Sequence, residues 1–265
     1  FVYIVIFMHL KFSKYHGTGN DFIMVYNHND SFCFNQPDVK KMCSRRNSIG
    51  ADGLIIIEKT TDADFKMIYY NADGFLGSMC GNGARCAVSF AKELGLIQNQ
   101  CEFLAYDGLH KGLILENGLV SIEMVDVSLI EAQNNTWKID TGSPHLICFR
   151  DNVTEIDVKH EGASIRNSID YIEDGINVNF VQLTNNELFI RTYERGVEDE
   201  TLSCGTGAIA SAIAAYESDL LNSDRIKVKV LGGQLEVSFS KVGSKYSNIH
   251  LTGPTKFVFN GEVDF

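Results

Sequence analysis

Two stretches of this chain repeat one order of apolar and polar positions. Phe65-Lys66-Met67-Ile68-Tyr69-Tyr70 and Leu188-Phe189-Ile190-Arg191-Thr192-Tyr193 both read as strands. Each precedes a Cys-Gly-x-Gly-Ala pentamer, Cys80 to Ala84 and Cys204 to Ala208. Each pentamer opens an apolar, helix-prone run: Arg85 to Leu94 in the first copy, Ile209 to Leu221 in the second. Alanine recurs in both runs, most densely in the second, as helix propensity favours. The rest of the pattern is short β segments, such as Leu113–Leu115, Val120–Met124, Ile226–Val230 and Leu235–Phe239. Asp73-Gly74, Asn117-Gly118, Gly232-Gly233 and Asn260-Gly261 read as the turns between such segments. The pattern predicts an α+β fold of two pseudo-symmetric halves, each a β-rich, barrel-like sheet around one central helix beginning at Gly81 or Gly205. The repeat is far too long for a solenoid. The polar stretch Glu131 to Thr136 suits a boundary between the halves.

Composition narrows the partners. The 265 residues carry a formal net charge of −11, which argues against nucleic acid or an anionic membrane. At 45% hydrophobic, the chain can build its interior without a metal or disulfide staple. Seven cysteines form no C-x-x-C and match no zinc spacing, so a reducing, cytoplasmic setting with free thiols is expected. Residues 1–7 are apolar but too short to span a bilayer and lack the features of a signal peptide; they read as an extension ahead of Met8.

A cysteine at a helix start sits where unpaired backbone N–H groups converge, and the glycines let main chain approach a ligand closely. The helix N-terminus favours an anion, either a thiolate or a carboxylate. Two such cysteines on symmetry-related helices suggest two thiols across one cleft. That suits inversion at an α-carbon, where one sulfur removes a proton from one face and the other delivers one to the opposite face. Amide donors at both helix starts can receive the charge that develops on the carboxylate. Other readings fail on spacing: the third glycine of a dinucleotide fingerprint is Cys86 or Ala210, and no G-K-[ST] is present. Cys80 and Cys86 have no suitably spaced partner for a metal, and no lysine motif for a pyridoxal Schiff base is evident. The other five cysteines read as small core residues.

Lys14-Tyr15-His16-Gly17-Thr18-Gly19-Asn20-Asp21-Phe22, Gly50-Ala51-Asp52-Gly53, Tyr70-Asn71-Ala72-Asp73-Gly74 and Met79-Cys80-Gly81-Asn82-Gly83-Ala84-Arg85 follow in order. Gly142-Ser143-Pro144-His145, Gly175-Ile176-Asn177, Tyr193-Glu194-Arg195-Gly196 and Cys204-Gly205-Thr206-Gly207-Ala208 complete the series. From about Lys11 onward the chain resembles the diaminopimelate epimerase family. The resemblance implies interconversion of LL- and meso-2,6-diaminoheptanedioate, for lysine and peptidoglycan, without a cofactor or metal. It implies Cys80 and Cys204 as the proton-transfer pair, with His145 and Glu194 beside them tuning their pKa values. Substrate contacts are implied at Asn20, Asn71, Gly81, Asn82, Ser143, Asn177, Glu194, Arg195, Gly205 and Thr206. Arg195 is expected as a buried guanidinium suited to a carboxylate.

By the same resemblance, residues 1–127 form the N-terminal half and 128–255 the C-terminal half, with a final strand over 256–265 returning to the first. A homodimer is compatible with it. Two departures concern recognition of the non-reacting end: Ser143 stands where many relatives have Asn, and Gly53 where some have Gln. The competing assignments are a proline racemase or hydroxyproline epimerase of the same fold, or a catalytically silent ligand-binding module. The racemase branch reads Cys-Gly-His-Gly where this chain has Asn82.

Overall fold

A computed structural model describes residues 9–28, 32–133 and 135–264; the extension over 1–7 and Met8 fall outside the described residues. The chain begins with β1 (His9–Gly17), β2 (Asn20–Asn27), α1 (Gln36–Cys43), β3 (Gly53–Glu58) and β4 (Phe65–Asn71). Helix α2 (Gly81–Glu93) follows, then β5 (Gln100–Ala105), β6 (Gly108–Ile114), β7 (Val120–Met124) and β8 (Ile130–Gln133). The same order then recurs as β9 (Thr136–Asp140), β10 (Pro144–Phe149), α3 (Val158–Arg166), β11 (Asn177–Thr184) and β12 (Glu187–Glu194). A short β13 (Asp199–Thr201) leads into α4 (Gly205–Glu217). The chain closes with β14 (Arg225–Val230), β15 (Gly233–Val242), β16 (Lys245–Gly253) and β17 (Lys256–Asp264).

The internal echo is a repeat of topology. In the first half β2 and β3 run parallel across α1, and β4 and β5 run parallel across α2. In the second, β10 and β11 are parallel across α3, and β12 and β14 across α4. Parallel neighbours need a crossover of this kind, whereas the antiparallel pairs around them are joined by short turns. Pairings also join segments far apart in sequence: β7 pairs with β16 and β17 with β1, while β8 and β9 form a local hairpin.

The helices follow from their composition. α4 is apolar nearly all round, which only a fully enclosed helix tolerates, and Ala208 through Ala215 are all buried. α2 buries Ala84, Cys86, Ala87, Val88 and Ala91 against Phe22, Met24, Ile55, Phe65 and Phe103. The outer helices carry ordinary caps, with Asn35 and Asp38 forming a capping box on α1 and Asp157 capping α3. The central helices instead have Cys80 and Cys204 at the N-cap, with nearly identical backbones (φ −110°, ψ 110° and φ −117°, ψ 110°). Cysteine is not a preferred cap. An N-cap Ser, Thr, Asn or Asp contributes about 1 kcal/mol, so this choice gives up stability at both positions.

Two expectations change. Asn260-Gly261 is not a turn, since β17 runs through it to Asp264. The ring of Phe12 lies against Gly261, 2.4 Å from where a Cβ would stand, so the glycine makes room for an aromatic ring. The polar stretch Glu131 to Thr136 spans the turn of a hairpin, in which Gln133 of β8 pairs with Thr136 of β9. Cys43, Cys86, Cys101 and Cys148 are buried, but Cys33 is exposed. Among the described residues, no helix is long and apolar enough to cross a membrane.

Candidate active site

The starts of α2 and α4 abut. A Cβ on Gly205 would lie 3.7 Å from the Cα of Gly81, and a Cβ on either glycine would lie 2.7 Å from the same Leu251 methyl carbon. Leu251 sits in β16, opposite Ile122 of β7, at the seam between the halves. The two N-cap cysteines are therefore delivered to one place by two helices whose first residues meet, and a charge on Cys80 helps raise the Cys204 thiol.

Around Cys80 the orientation of each group can be traced outward. Buried Lys14 pairs with Asp21 at 2.7 Å, and Arg45 bridges Asp21 and Asp52 at 2.6 Å each. Asp52 accepts from the Asn20 Nδ2 at 2.8 Å. Asn20 Oδ1 is thereby turned toward the Cys80 thiol at 3.7 Å and toward Asn82 Nδ2 at 3.3 Å. Asn82 also donates to the Ser203 carbonyl at 3.0 Å, tying the first half to the second. The wholly buried Arg85 guanidinium donates to Asn82 Oδ1 at 2.8 Å, while its Nε has no hydrogen-bond partner among the described residues. Gly83 N–H donates to the Cys80 sulfur at 3.5 Å. Burial pushes the Cys80 thiol up to about 11, against the Gly83 and Asn82 N–H groups, which favour the thiolate.

Around Cys204 the partners differ. Its sulfur lies 3.6 Å from the Thr206 hydroxyl, which is 3.0 Å from His145 Nε2. Burial and then Glu194 raise this thiol, while the Thr206 hydroxyl and Gly207 N–H oppose them. Burial first, then Arg195, hold His145 down to about 3, so the imidazole is neutral. Glu194 is itself raised by burial, with Thr201 donating to its Oε2 at 2.8 Å.

Of the remaining predicted residues, Ser143, Asn177 and Arg195 form a third group, and Asn71 stands apart from it. Asn177 Nδ2 donates to Ser143 Oγ at 2.8 Å, and Asn177 Oδ1 accepts from the Arg195 backbone N–H at 2.9 Å. The expected burial of Arg195 is not met: it is exposed, and its guanidinium donates to the Asp174 carbonyl at 2.9 Å. This follows from its place just beyond β12, at the start of a turn. Asn71 ends β4 opposite Gly53, and its Oδ1 is 3.1 Å from where a Gly77 Cβ would stand.

Sequence reasoning missed two residues. Tyr69 fills the space a side chain at Gly53 would need, its ring 2.6 Å from the missing Cβ. Burial, then Cys80 and Glu194, raise the Tyr69 hydroxyl well above its ordinary value, so it belongs to the same enclosure. Asn179 donates to His145 Nδ1 at 3.1 Å. Its signal was present in the strand alternation: Asn177 and Asn179 put two polar groups on one face of an otherwise apolar segment.

The family model described as diaminopimelate epimerase matches residues 12–129 and 137–258, leaving out β8 and the turn into β9. The chain is 52% identical over 256 residues to the diaminopimelate epimerase of Flavobacterium psychrophilum, covering 96% of this chain and 100% of that protein. It is 41% identical over 256 residues to that of Chlorobaculum tepidum, covering 93% and 98%. Among solved structures, a Bacillus anthracis phenazine biosynthesis protein of the PhzF family superposes with a TM-score of 0.76 at 14% identity, covering 97% of this chain and 99% of that one. A hydroxyproline epimerase from Agrobacterium vitis gives 0.71 at 14% identity, covering 97% and 93%. At such identities the two structures speak for the fold alone.

Proposed function

The chain belongs to the diaminopimelate epimerase family, and on that premise we propose that it interconverts LL- and meso-2,6-diaminoheptanedioate by two-base proton exchange at one α-carbon. The observation that carries the mechanism is the meeting of two cysteine-capped helix starts at one point. One sulfur, as thiolate, takes the α-proton and becomes a thiol. The electron pair left on carbon spreads into the adjacent carboxylate, where N–H groups of both helix starts stabilise it. The opposite thiol gives its proton to the other face and is left as the thiolate. No pyridoxal phosphate enters this reading.

Burial raises both thiols. The N–H groups at Gly83 and Gly207 offset this by favouring whichever sulfur is ionised. His145 and Glu194 tune Cys204, the first through Thr206. Asn20, Asn82, Gly81, Gly205 and Thr206 contact the reacting end, and Asn71, Ser143, Asn177, Glu194 and Arg195 the distal end. Arg195, exposed here, is free to meet a distal carboxylate with its planar fork. The same reading includes residues 1–127 with 256–265 and residues 128–255 as the two halves, a cytoplasmic homodimer, and a product that feeds lysine and peptidoglycan synthesis.

The test is incubation with LL-diaminopimelate in deuterated water without pyridoxal phosphate. Deuterium should enter the α-position as meso product forms. Exchange of proline, with none of diaminopimelate, would move the chain to the racemase branch.

A further inference from the structure

Behind Cys204 lies a chain of four side chains whose direction is fixed at its far end. Asn179 stands in β11 directly opposite Thr192 of β12, and its Nδ2 is 3.2 Å from the Leu146 carbonyl. A carbonyl only accepts, so the NH₂ end of Asn179 must face it. That leaves Asn179 Oδ1 to accept from Thr192 Oγ1 at 3.0 Å, and the second N–H of the amide to donate to His145 Nδ1 at 3.1 Å. A neutral imidazole that accepts at Nδ1 carries its proton on Nε2. Nε2–H then donates to Thr206 Oγ1 at 3.0 Å. With its lone pair so engaged, the Thr206 hydroxyl turns its own proton toward the Cys204 sulfur at 3.6 Å. All four groups are buried or nearly so, and Asn179, Thr192 and His145 are at most 4% exposed.

Cys80 has the opposite wiring. Asp52 fixes Asn20 so that an acceptor oxygen faces that sulfur. The helices are related by pseudo-symmetry, but the side chains around their sulfurs are not.

We propose that Asn179, backed by Thr192, is a positioning residue for the reaction: it locks His145 as the Nε2–H tautomer and so holds the Thr206 hydroxyl as a donor to the Cys204 thiolate. The inference rests on the epimerase reading for its role, but its geometry does not depend on the substrate. Without Asn179, His145 can carry its proton on Nδ1. Nε2 then accepts from Thr206, and the hydroxyl turns away from sulfur.

The tautomer is read directly by ¹⁵N NMR of the histidine-labelled, substrate-free protein. His145 should show an unprotonated Nδ1 and a protonated Nε2, unchanged from pH 8 to pH 5. A proton on Nδ1 would overturn the proposal, whatever the protein's activity. In a Cys80→Ser background, the pH dependence of Cys204 alkylation by iodoacetamide reports its thiolate. Asn179→Leu should raise that midpoint by about one pH unit, the size of one hydrogen bond to a charged group. Turnover should fall about tenfold with KM little changed. Thr206→Val should raise the midpoint similarly while leaving the His145 tautomer as it was, and it carries the test if Asn179→Leu does not fold. A midpoint that stays with the parent in either folded variant would refute the relay. If the relay is found and diaminopimelate is not turned over, the proposed function fails and the wiring stands.

Discussion

Matched glycines at the third position of each central helix should respond very differently to alanine. A Cβ on Gly83 would crowd one atom, the Cδ1 methyl of Ile55 at 2.8 Å, the far end of a side chain that no hydrogen bond holds, with Cys80 Cβ and Phe22 Cε1 at ordinary contact, 3.5 Å. A Cβ on Gly207 would lie 2.3 Å from Asn179 Oδ1 and 3.3 Å from its Cγ. Asn179 cannot yield freely, because its amide is held by His145 at 3.1 Å, Leu146 at 3.2 Å and Thr192 at 3.0 Å. Overpacking of this kind costs about 1–3 kcal/mol, and each displaced hydrogen bond adds about 1 kcal/mol. Replacing glycine by alanine in a helix returns up to about 1 kcal/mol. Gly83→Ala should therefore fall within about 1 kcal/mol of the parent, and Gly207→Ala should be less stable by about 2 kcal/mol or more. Urea denaturation of the three proteins, compared at equal slope, measures the gap. Equal stabilities for the two variants would show that Asn179 is not held as described.

Cys80→Ala and Cys204→Ala should each lower epimerisation at least about a hundredfold, the usual contribution of a general acid or base; near-normal turnover by either removes the two-base mechanism. Arg195→Met should raise KM for diaminopimelate while leaving stability within about 0.5 kcal/mol, as its exposure implies. A loss of stability equal to the loss of activity would argue against a binding role. Burial would raise Asp21, but hydrogen bonds from Arg45 and Lys14 outweigh it and lower its carboxyl from 3.8 to about 2. The folded value is the lower one, so this stabilisation is complete above about pH 4 and is lost as pH falls toward 2. Asp21→Asn should flatten that part of the acid limb in urea titrations at pH 5 and pH 3, and an unchanged slope would refute the assignment.

The central helices were legible because a repeated pentamer fixes their first residues, and the strands before them because aromatic and β-branched residues crowd those short runs. Local pattern cannot reveal which strands pair across the chain, so the end of β17, which pairs with β1, looked like a turn. Glycine is ambiguous in the same way. At Gly118, whose φ is +82°, it serves a turn, whereas at Gly261 it clears space for Phe12, which is distant in sequence. The residues carrying the expected chemistry were readable from motif, but those that orient them were not. Strand register brings Thr192 to Asn179 and Asn179 to His145, and only the Asn177–Asn179 alternation hints at it in the sequence; Arg195 read as buried because its motif says nothing of solvent.

The pairing of β17 with β1 joins Asp264 to His9, almost the whole length of the described chain. A ribosome releases the first of these residues long before the last. The first half can collapse early around α2, but the edge of β1 that β17 covers stays open until β17 itself has been made. Pairings of such separation are slow to form and leave strand edges exposed in the interval. Its partner sulfur is also encoded late, so a nascent chain carries Cys80 with nothing facing it. Reactivity is thus deferred until α4 has been made, and a product terminated before Cys204 would carry the first thiol without the machinery to use it.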